Sequence, residues 1–457
     1  REIVPLIRRR GIFAGSRDFL LYDVVGDDGA VREDAYAYSN VGPGGERSLV
    51  VYHNRYASTS GRIRESVPFS AADPASGERS LRRRSLADGL GIWLGAPGEP
   101  GLDGLFVRAR SAIAGLEHLW RARDIAAGGL WLELGAYEYR VYLDWATFRD
   151  APDGRWSRLR DRLGGRGVPS LDDALRDLEL APVHEVFGRL LGDRGPATGS
   201  DALELVRAVR EATAARRGDP DATVGEAISS GLASVDALRL SDPTTAAAFR
   251  AWAIVEPLGG LGDADDGRAT ARAWFIELRL GPALVRSLGD RADGTAGSKR
   301  ADPEAAAHRA WLLLRLARPG LLPTSTPTPA HHVAAAWVAD PDVSAYLDIH
   351  DSGGVRWLSA DRLDEVIGWA STLDRLDGGT DGGARASASR RTSTTMTAIR
   401  RAAADSGYRV DEWLRLLAPK EPGRPAGPSS RRTATTSPST PAKARKALAK
   451  PPDRHRA

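Results

Sequence analysis

The sequence predicts a multi-domain chain, β first and α after: an antiparallel β-sandwich-like domain, then a mainly helical region, then a disordered tail. Three observations carry this. Up to about residue 150 the apolar residues alternate with polar ones, the period of a half-buried strand. Beyond it they recur at helical spacing behind capping residues. From about residue 419 almost nothing apolar remains to offset the entropy of ordering. The expected divisions are 1–14, 15–150, 151–418 and 419–457.

Residues 1–14 read as the second half of a helix, with no cap residue before it. Such an opening is expected of the tail end of a larger protein. Phe19 to Val25 is a short apolar run, and Gly26-Asp27-Asp28-Gly29 offers the turn after it, because Asp-Gly tolerates positive φ. Ala35 to Asn40 and Ser48 to Tyr52 follow as strands, and the polar, Arg-rich stretch 70–86 as a loop or short helix. The clearest strand runs from Tyr137 to Trp145. There Tyr137, Tyr139, Val141, Leu143 and Trp145 alternate with Glu138, Arg140, Tyr142 and Asp144. Eight of the ten tyrosines precede residue 143, as aromatic-rich strands require.

Helical signals then take over. Ser170 precedes Leu175 and Leu178 as a cap, and Ser200 can cap a helix whose Ala202, Leu205, Val206 and Val209 share a face. Asp242-Pro243 and Asp302-Pro303 each set a capping carboxylate before proline at the first helical position. Leu363, Val366, Ile367 and Ala370 form another stripe after Ser359. Glycine-rich breaks near 290–298 and 378–383 interrupt the region.

Composition excludes several classes. With no cysteine, disulfides, thiolate metal sites and cysteine nucleophiles are ruled out. That suits a reducing compartment, and a cytoplasmic location is the expectation. No apolar run reaches the roughly 18 residues of a membrane span. The net charge of +4 conceals an asymmetry: from Lys420 onward ten Lys/Arg face only Glu421 and Asp453, which leaves the rest of the chain at −4. Charge therefore gives no support to a nucleic-acid surface on the body. The tail, with Lys443-Ala444-Arg445-Lys446, has the character of a solvated terminus or a scaffold's anion-binding segment.

Candidate chemistry is sparse. Tyr52-His53-Asn54-Arg55-Tyr56 places five hydrogen-bonding side chains at the end of an apolar strand. On a strand Tyr52, Asn54 and Tyr56 share one face, His53 and Arg55 the other. The run is either a polar patch that contacts sugar or a neighbouring domain, or a network tying strand to loop. His331-His332, His184-Glu185 and His350-Asp351 lack metal-ligand spacing, so no metal and no cofactor is expected. Asp263 to Gly267 fails as a calcium loop, since Arg268 and Trp274 stand where glycine and glutamate are needed. Gly259-Gly260-Leu261-Gly262 lacks a strand–turn–helix context. Of the twelve tryptophans, Trp252, Trp311 and Trp369 sit in helical stripes. Trp93, Trp145 and Trp357 are the positions open to a ligand.

Three stretches of the first 150 residues resemble the segment after the catalytic barrel in large bacterial enzymes of the alpha-amylase superfamily. Pro5-Leu6-Ile7-Arg8-Arg9-Arg10-Gly11-Ile12-Phe13-Ala14 with Phe19-Leu20-Leu21-Tyr22-Asp23 resembles the last barrel helix entering the C-terminal β-domain. Leu49 to Ala57 is similar to a core strand of that domain, and Leu134 to Leu143 to its closing strand. Tyr346 to His350, Val355 to Trp357 and Gly407 to Asp411 resemble the helical extension of such enzymes. The resemblance implies that residues 1–14 are the remnant of the last barrel helix. It also implies a parent enzyme that is a retaining glycosidase or glucanotransferase acting on α-glucans through two carboxylates about 5–5.5 Å apart. The family's Gly-Phe-Arg-x-Asp and Asn-His-Asp motifs are absent, and Ile349-His350-Asp351 lacks the Asn. No catalytic residue is therefore carried over. The expected function is an accessory, non-catalytic portion. Its expected partners are an upstream catalytic barrel of the same polypeptide and α-glucan, with no membrane and no nucleic acid. The alternative is a stand-alone, non-enzymatic carbohydrate-binding or interaction module working through its aromatic β-domain.

Overall fold

Alternating burial along the strands builds one continuous sheet in the N-terminal part of the chain. The protein is seen in a computed structural model that describes residues 7–13, 18–73, 75–92, 103–192, 199–215, 218–262, 266–289, 300–318, 320–322, 328–377 and 382–419. Its strands are β1 (Leu20–Val25), β2 (Ala35–Val41), β3 (Arg47–His53), β4 (Thr59–Ser66), β7 (Leu105–Ser111), β8 (Glu117–Arg121), β9 (Leu130–Leu134) and β10 (Tyr139–Arg149). They are ordered β8-β7-β10-β3-β2-β1-β4-β9, every neighbouring pair antiparallel. The β-then-α layout is observed, with the β part curled as a half-barrel of a single sheet where the sequence suggests a sandwich.

The curl follows from connectivity. β8 and β9 are the two edges of the sheet, yet only a two-turn helix, α2 (Ala122–Gly128), and Gly129 join them. Seven helical residues span roughly 10 Å, so the edges must approach each other. The concave face closes over α2 and the four-residue helix α1 (Leu86–Gly89). Leu20, Tyr22, Val24, Ala37, Leu49, Val51, Ile63, Val107 and Leu132 pack there against Leu86, Ala87 and Ile125. Ser85 caps α1 by accepting from the Asp88 N–H, and the Asp88 side chain returns the bond to the Ser85 N–H. The stretch expected as a loop or short helix over 70–86 is thus a hairpin, β5 (Phe69–Ala72) with β6 (Arg79–Arg82), leading into this helix.

β10 departs from simple alternation. Tyr142 enters the concave core while Val141 and Leu143 are buried on the other side with Ile12, so both faces are covered. A bulge at Asp144, φ 57°, shifts the register between Leu143 and Ala146. Asp144 pairs with both terminal nitrogens of Arg9, at 2.7 and 3.0 Å, which fastens the segment before β1 to this strand. Trp145 then turns back towards Tyr142 and Trp120, whose ring also stacks on His118. The outer face of β7 and β8 is covered by helices α3 (Arg155–Leu163) and α4 (Leu171–Glu179), through Phe106, Leu119, Leu159 and Leu171.

Helices continue as α5 (Ala181–Leu191), α6 (Gly199–Thr213), α7 (Asp221–Ala237), α8 (Pro243–Leu258), α9 (Gly267–Glu277), α10 (Leu280–Gly289) and α11 (Pro303–Leu316). Ser170, Asp242 and Asp302 cap α4, α8 and α11 as their spacing predicts, whereas Ser200 lies inside the first turn of α6. Ala202, Leu205, Val206 and Val209 are fully buried. α8 is wrapped by α5, α7, α9 and α11, and is apolar on almost every side as a central helix must be. Its one buried cation, Arg250, is paired with Asp236 and donates to the carbonyls of Leu190 and Gly192.

The chain divides into two compact units, the second made of Gly320–Asp374 and the residues from Gly379. In that second unit lie α12 (Ala330–Ala339), α13 (Pro341–Tyr346), the hairpin β11 (His350–Ser352) and β12 (Val355–Trp357), and α14 (Ala360–Asp377) as far as Asp374. α15 (Gly382–Asp405) and α16 (Val410–Leu417) complete it. Leu363, Val366, Ile367 and Ala370 of α14 are buried, and the Trp337 and Trp413 indoles donate to the carbonyls of Leu321 and Ile399. Among the described residues no helix is long and apolar enough to cross a membrane. Residues 1–6, Trp93, Asp263 to Asp265, the breaks at 290–298 and 378–381, and the tail from Lys420 lie outside the described residues.

Two outcomes are expected of this architecture. Gly129 has φ 70° and ψ −162°, and an added Cβ would fall 2.1 Å from the Ile63 carbonyl oxygen. Gly129→Ala should therefore cost about 3 kcal/mol or more in a urea unfolding titration; an unchanged midpoint would show that the edge-to-edge junction is soft. The second outcome concerns acid. Burial lowers the pKa of both His118 and His184 below the ordinary histidine value. His184 Nε2 lies 2.8 Å from the Leu278 carbonyl, and its Nδ1 can only accept from Arg286, so the ring is held neutral. The unfolded chain takes up protons before the folded one, so this stability is complete above the ordinary value and is lost as pH falls through the lowered ones. The unfolding midpoint should drop between pH 7 and pH 5, and the drop should shrink in a His118→Phe/His184→Gln variant.

Candidate functional site

Antiparallel pairing gathers the starts of β2, β4 and β10 and the ends of β1, β3 and β9 at one mouth of the half-barrel. A cleft of about 1150 Å³ opens there. Its lining includes Arg32, Asp34, Tyr36, Asn54, Arg55 and Glu138. Barrel mouths are common ligand sites because strand ends bring many short loops together around a rigid wall.

The run Tyr52 to Tyr56 lies at this mouth, and the structure divides its members. β3 ends at His53, so strand alternation reaches only the first two residues. Tyr52 points outward, and its hydroxyl donates to Asn54 Oδ1 at 3.0 Å. His53 points inward and is fully buried; its Nδ1 is 2.8 Å from the Gly135 carbonyl and its backbone N–H donates to the Glu138 carbonyl. His53 Nε2 stands 3.6 Å from Asp34 Oδ2, which also faces Arg55 at 3.5 Å. Asn54 and Arg55 line the cleft, and Tyr56 stands on the β3–β4 loop, 84% exposed.

Three further tyrosines meet this run through sheet register. Tyr36 pairs with Tyr52 across β2 and β3, and Tyr139 pairs with Tyr52 across β10 and β3. Directly opposed residues share a face, and all three are exposed, at 47, 37 and 37%. They form an aromatic ladder across three strands, with Tyr36 also in the cleft wall. Tyr137, on the β9–β10 turn, adds a ring 6.3 Å from that of Tyr56. The sequence places Tyr137 and Tyr139 on one strand face, but it does not place either beside Tyr52, because that neighbourhood depends on a strand 85 or more residues away. The one available signal is the crowding of tyrosine before residue 143.

The turn that carries Tyr137 is braced by charge. Glu138 accepts from the Gly135 N–H at 2.7 Å and from Arg140 Nε at 2.7 Å, and Arg140 also donates to the Glu133 carbonyl at 2.5 Å. Burial opposes ionisation of Glu138, but the Gly135 N–H and the Arg140 guanidinium outweigh it and hold the carboxyl below its usual range. Glu33 and Glu133 are exposed carboxylates on the same cleft.

The arrangement offers flat aromatic faces beside amide, carboxylate and guanidinium groups. That combination suits a ligand with apolar faces and many hydroxyl groups. Among the described residues no group of three or more potential ligands could hold a metal ion. His331 and His332 lie ring against ring on α12, and His350 is exposed on β11. Comparison with models of protein families, with curated proteins and with solved structures gave no match.

Glu138→Ala should release the β9–β10 turn. The expected cost is about 1 kcal/mol of stability, since the carboxylate is part-exposed. Amide exchange at Gly135 and Tyr137 should accelerate with it; unchanged exchange there would show that Glu138 does not hold the turn.

Proposed function

We propose that this chain is the non-catalytic accessory portion of an alpha-amylase-like glycoside hydrolase or glucanotransferase, and that the barrel mouth holds α-glucan. The observation that carries the reading is the exposed, in-register ladder of Tyr36, Tyr52 and Tyr139 beside a polar cleft. Aromatic rings stack on the C–H faces of sugars, and the planar groups of Asn54, Arg55 and Asp34 suit the hydroxyls at the ring edges. The resemblance of Leu49 to Ala57 and Leu134 to Leu143 to the β-domain of these enzymes supports the α-glucan assignment, for both stretches contribute residues to this mouth. The curled sheet takes the place of the sandwich-like domain expected there.

On this reading the partner is the catalytic barrel of the same polypeptide, and cleavage or transfer of α-glucosidic bonds belongs to that barrel. The lack of cysteine and the acidic body fit action in the cytoplasm without nucleic acid. The alternative of a stand-alone carbohydrate-binding module draws on the same ladder and differs only in having no barrel.

The purified chain should be retarded in gels containing amylose and should bind maltoheptaose calorimetrically, without hydrolysing it. Tyr52→Ala should weaken binding about tenfold, one stacking contact being worth roughly 1–1.5 kcal/mol. No retardation of the wild-type chain, or hydrolysis by the chain alone, would overturn the proposal.

A further inference from the structure

We infer that Tyr137 is kept at an unfavourable backbone angle so that its ring, with Tyr56, lays a second aromatic platform on the mouth, and that this platform sets the affinity for the glucan chain. The inference rests on the α-glucan reading of the same site.

Tyr137 has φ 53°. A bulky residue with a Cβ is disfavoured in the left-handed region, where glycine would sit without strain. Such a residue persists only where its surroundings over-determine it. Here they do. The Tyr137 N–H donates to the Arg55 carbonyl at 3.1 Å, and the Glu138 N–H to the Gly135 carbonyl at 3.2 Å. His53 holds Gly135 from the buried side, and Glu138 with Arg140 holds it from the cleft. This bracing does not serve burial of the Tyr137 ring, which is 54% exposed.

What the strain achieves is placement. The ring lies 6.3 Å from Tyr56, the planes tilted by 42°. Two rings that sandwich a sugar need roughly 7–8 Å between them, twice a carbon–carbon contact distance. The pair is too close for that. It presents one continuous twisted surface, carried by two different loops and set beside the ladder of Tyr36, Tyr52 and Tyr139.

The test uses the full chain, maltoheptaose as probe, and thermal unfolding alongside calorimetry. Tyr137→Gly relieves the backbone and removes the ring. It should weaken binding about tenfold while the unfolding midpoint stays or rises, and Tyr137→Phe should bind as wild type does. Tyr56→Ala should reproduce the loss. Wild-type binding by Tyr137→Gly would overturn the inference and leave the glucan reading standing. A midpoint that falls along with binding, or a Tyr137→Phe variant as weak as the glycine one, would also overturn it, because ring placement would then not be the cause. If the wild-type chain itself does not bind maltoheptaose, the glucan reading falls and this inference with it.

Discussion

The β part of this molecule depends on one covalent constraint: the two edge strands of an eight-stranded sheet are consecutive in sequence. β8 ends at Arg121 and β9 begins at Leu130, so the chain must cross from one edge to the other in eight residues. A flat sheet would separate these edges by seven strand spacings of about 4.8 Å. A two-turn helix covers less than a third of that distance. The sheet therefore curls, and α2 becomes both the tether and part of the filling. Gly129 marks where the tether meets the sheet, with its backbone against the Ile63 carbonyl and in a conformation that side chains resist. The same curl leaves room for only a second short helix, α1, whose capping box lets four residues hold helical form.

Curling also makes the mouth. In a flat sheet the β9–β10 turn would lie beside the β3–β4 loop only through the β10–β3 pairing. In the half-barrel that turn also belongs to β9, the far edge, and so links both sides of the opening. Arg140 exploits this: it leaves β10 and reaches the backbone of β9 at Glu133, tying the ring of strand ends together. The polar residues here are therefore partly architectural. His53, Glu138 and Arg140 hold loops in place, while the tyrosines and Asn54 carry the exposed chemistry.

What could be read in advance follows the range of the interactions involved. β1, β2 and β3 were legible because alternation is local, and the caps at Ser170, Asp242 and Asp302 because a carboxylate or hydroxyl acts on an N–H two or three residues away. β7, β8 and β9 were not, since runs of five to seven residues hold few alternations, and β7 and β8 are buried on both faces, Val107, Ala109 and Trp120 against the concave core and Phe106 and Leu119 under α3 and α4. β10 was legible in position but not in burial, because Tyr142, on the face expected to meet solvent, enters the concave core and Asp144 breaks the period. The run Tyr52 to Tyr56 was legible as a site by residue type alone. Its partners Tyr36, Tyr137 and Tyr139 required strand register, which no local pattern contains.

The chemistry of the mouth bears on what it can meet. A face built to be covered permanently by another domain tends to lose charge at its centre and to gain aliphatic residues. Here the tyrosines are bordered by Arg32, Asp34, Arg55, Glu133 and Glu138, and the cleft wall is mostly polar. Burying those groups under protein would leave several charges without water. Tyrosine in place of phenylalanine or leucine also keeps a hydroxyl at each exposed ring edge, as Tyr52 does towards Asn54. The surface is thus matched to a partner that brings both flat apolar faces and its own hydrogen-bonding groups, and that can leave water in the cleft. An oligosaccharide meets those terms; a close-packed domain interface does not.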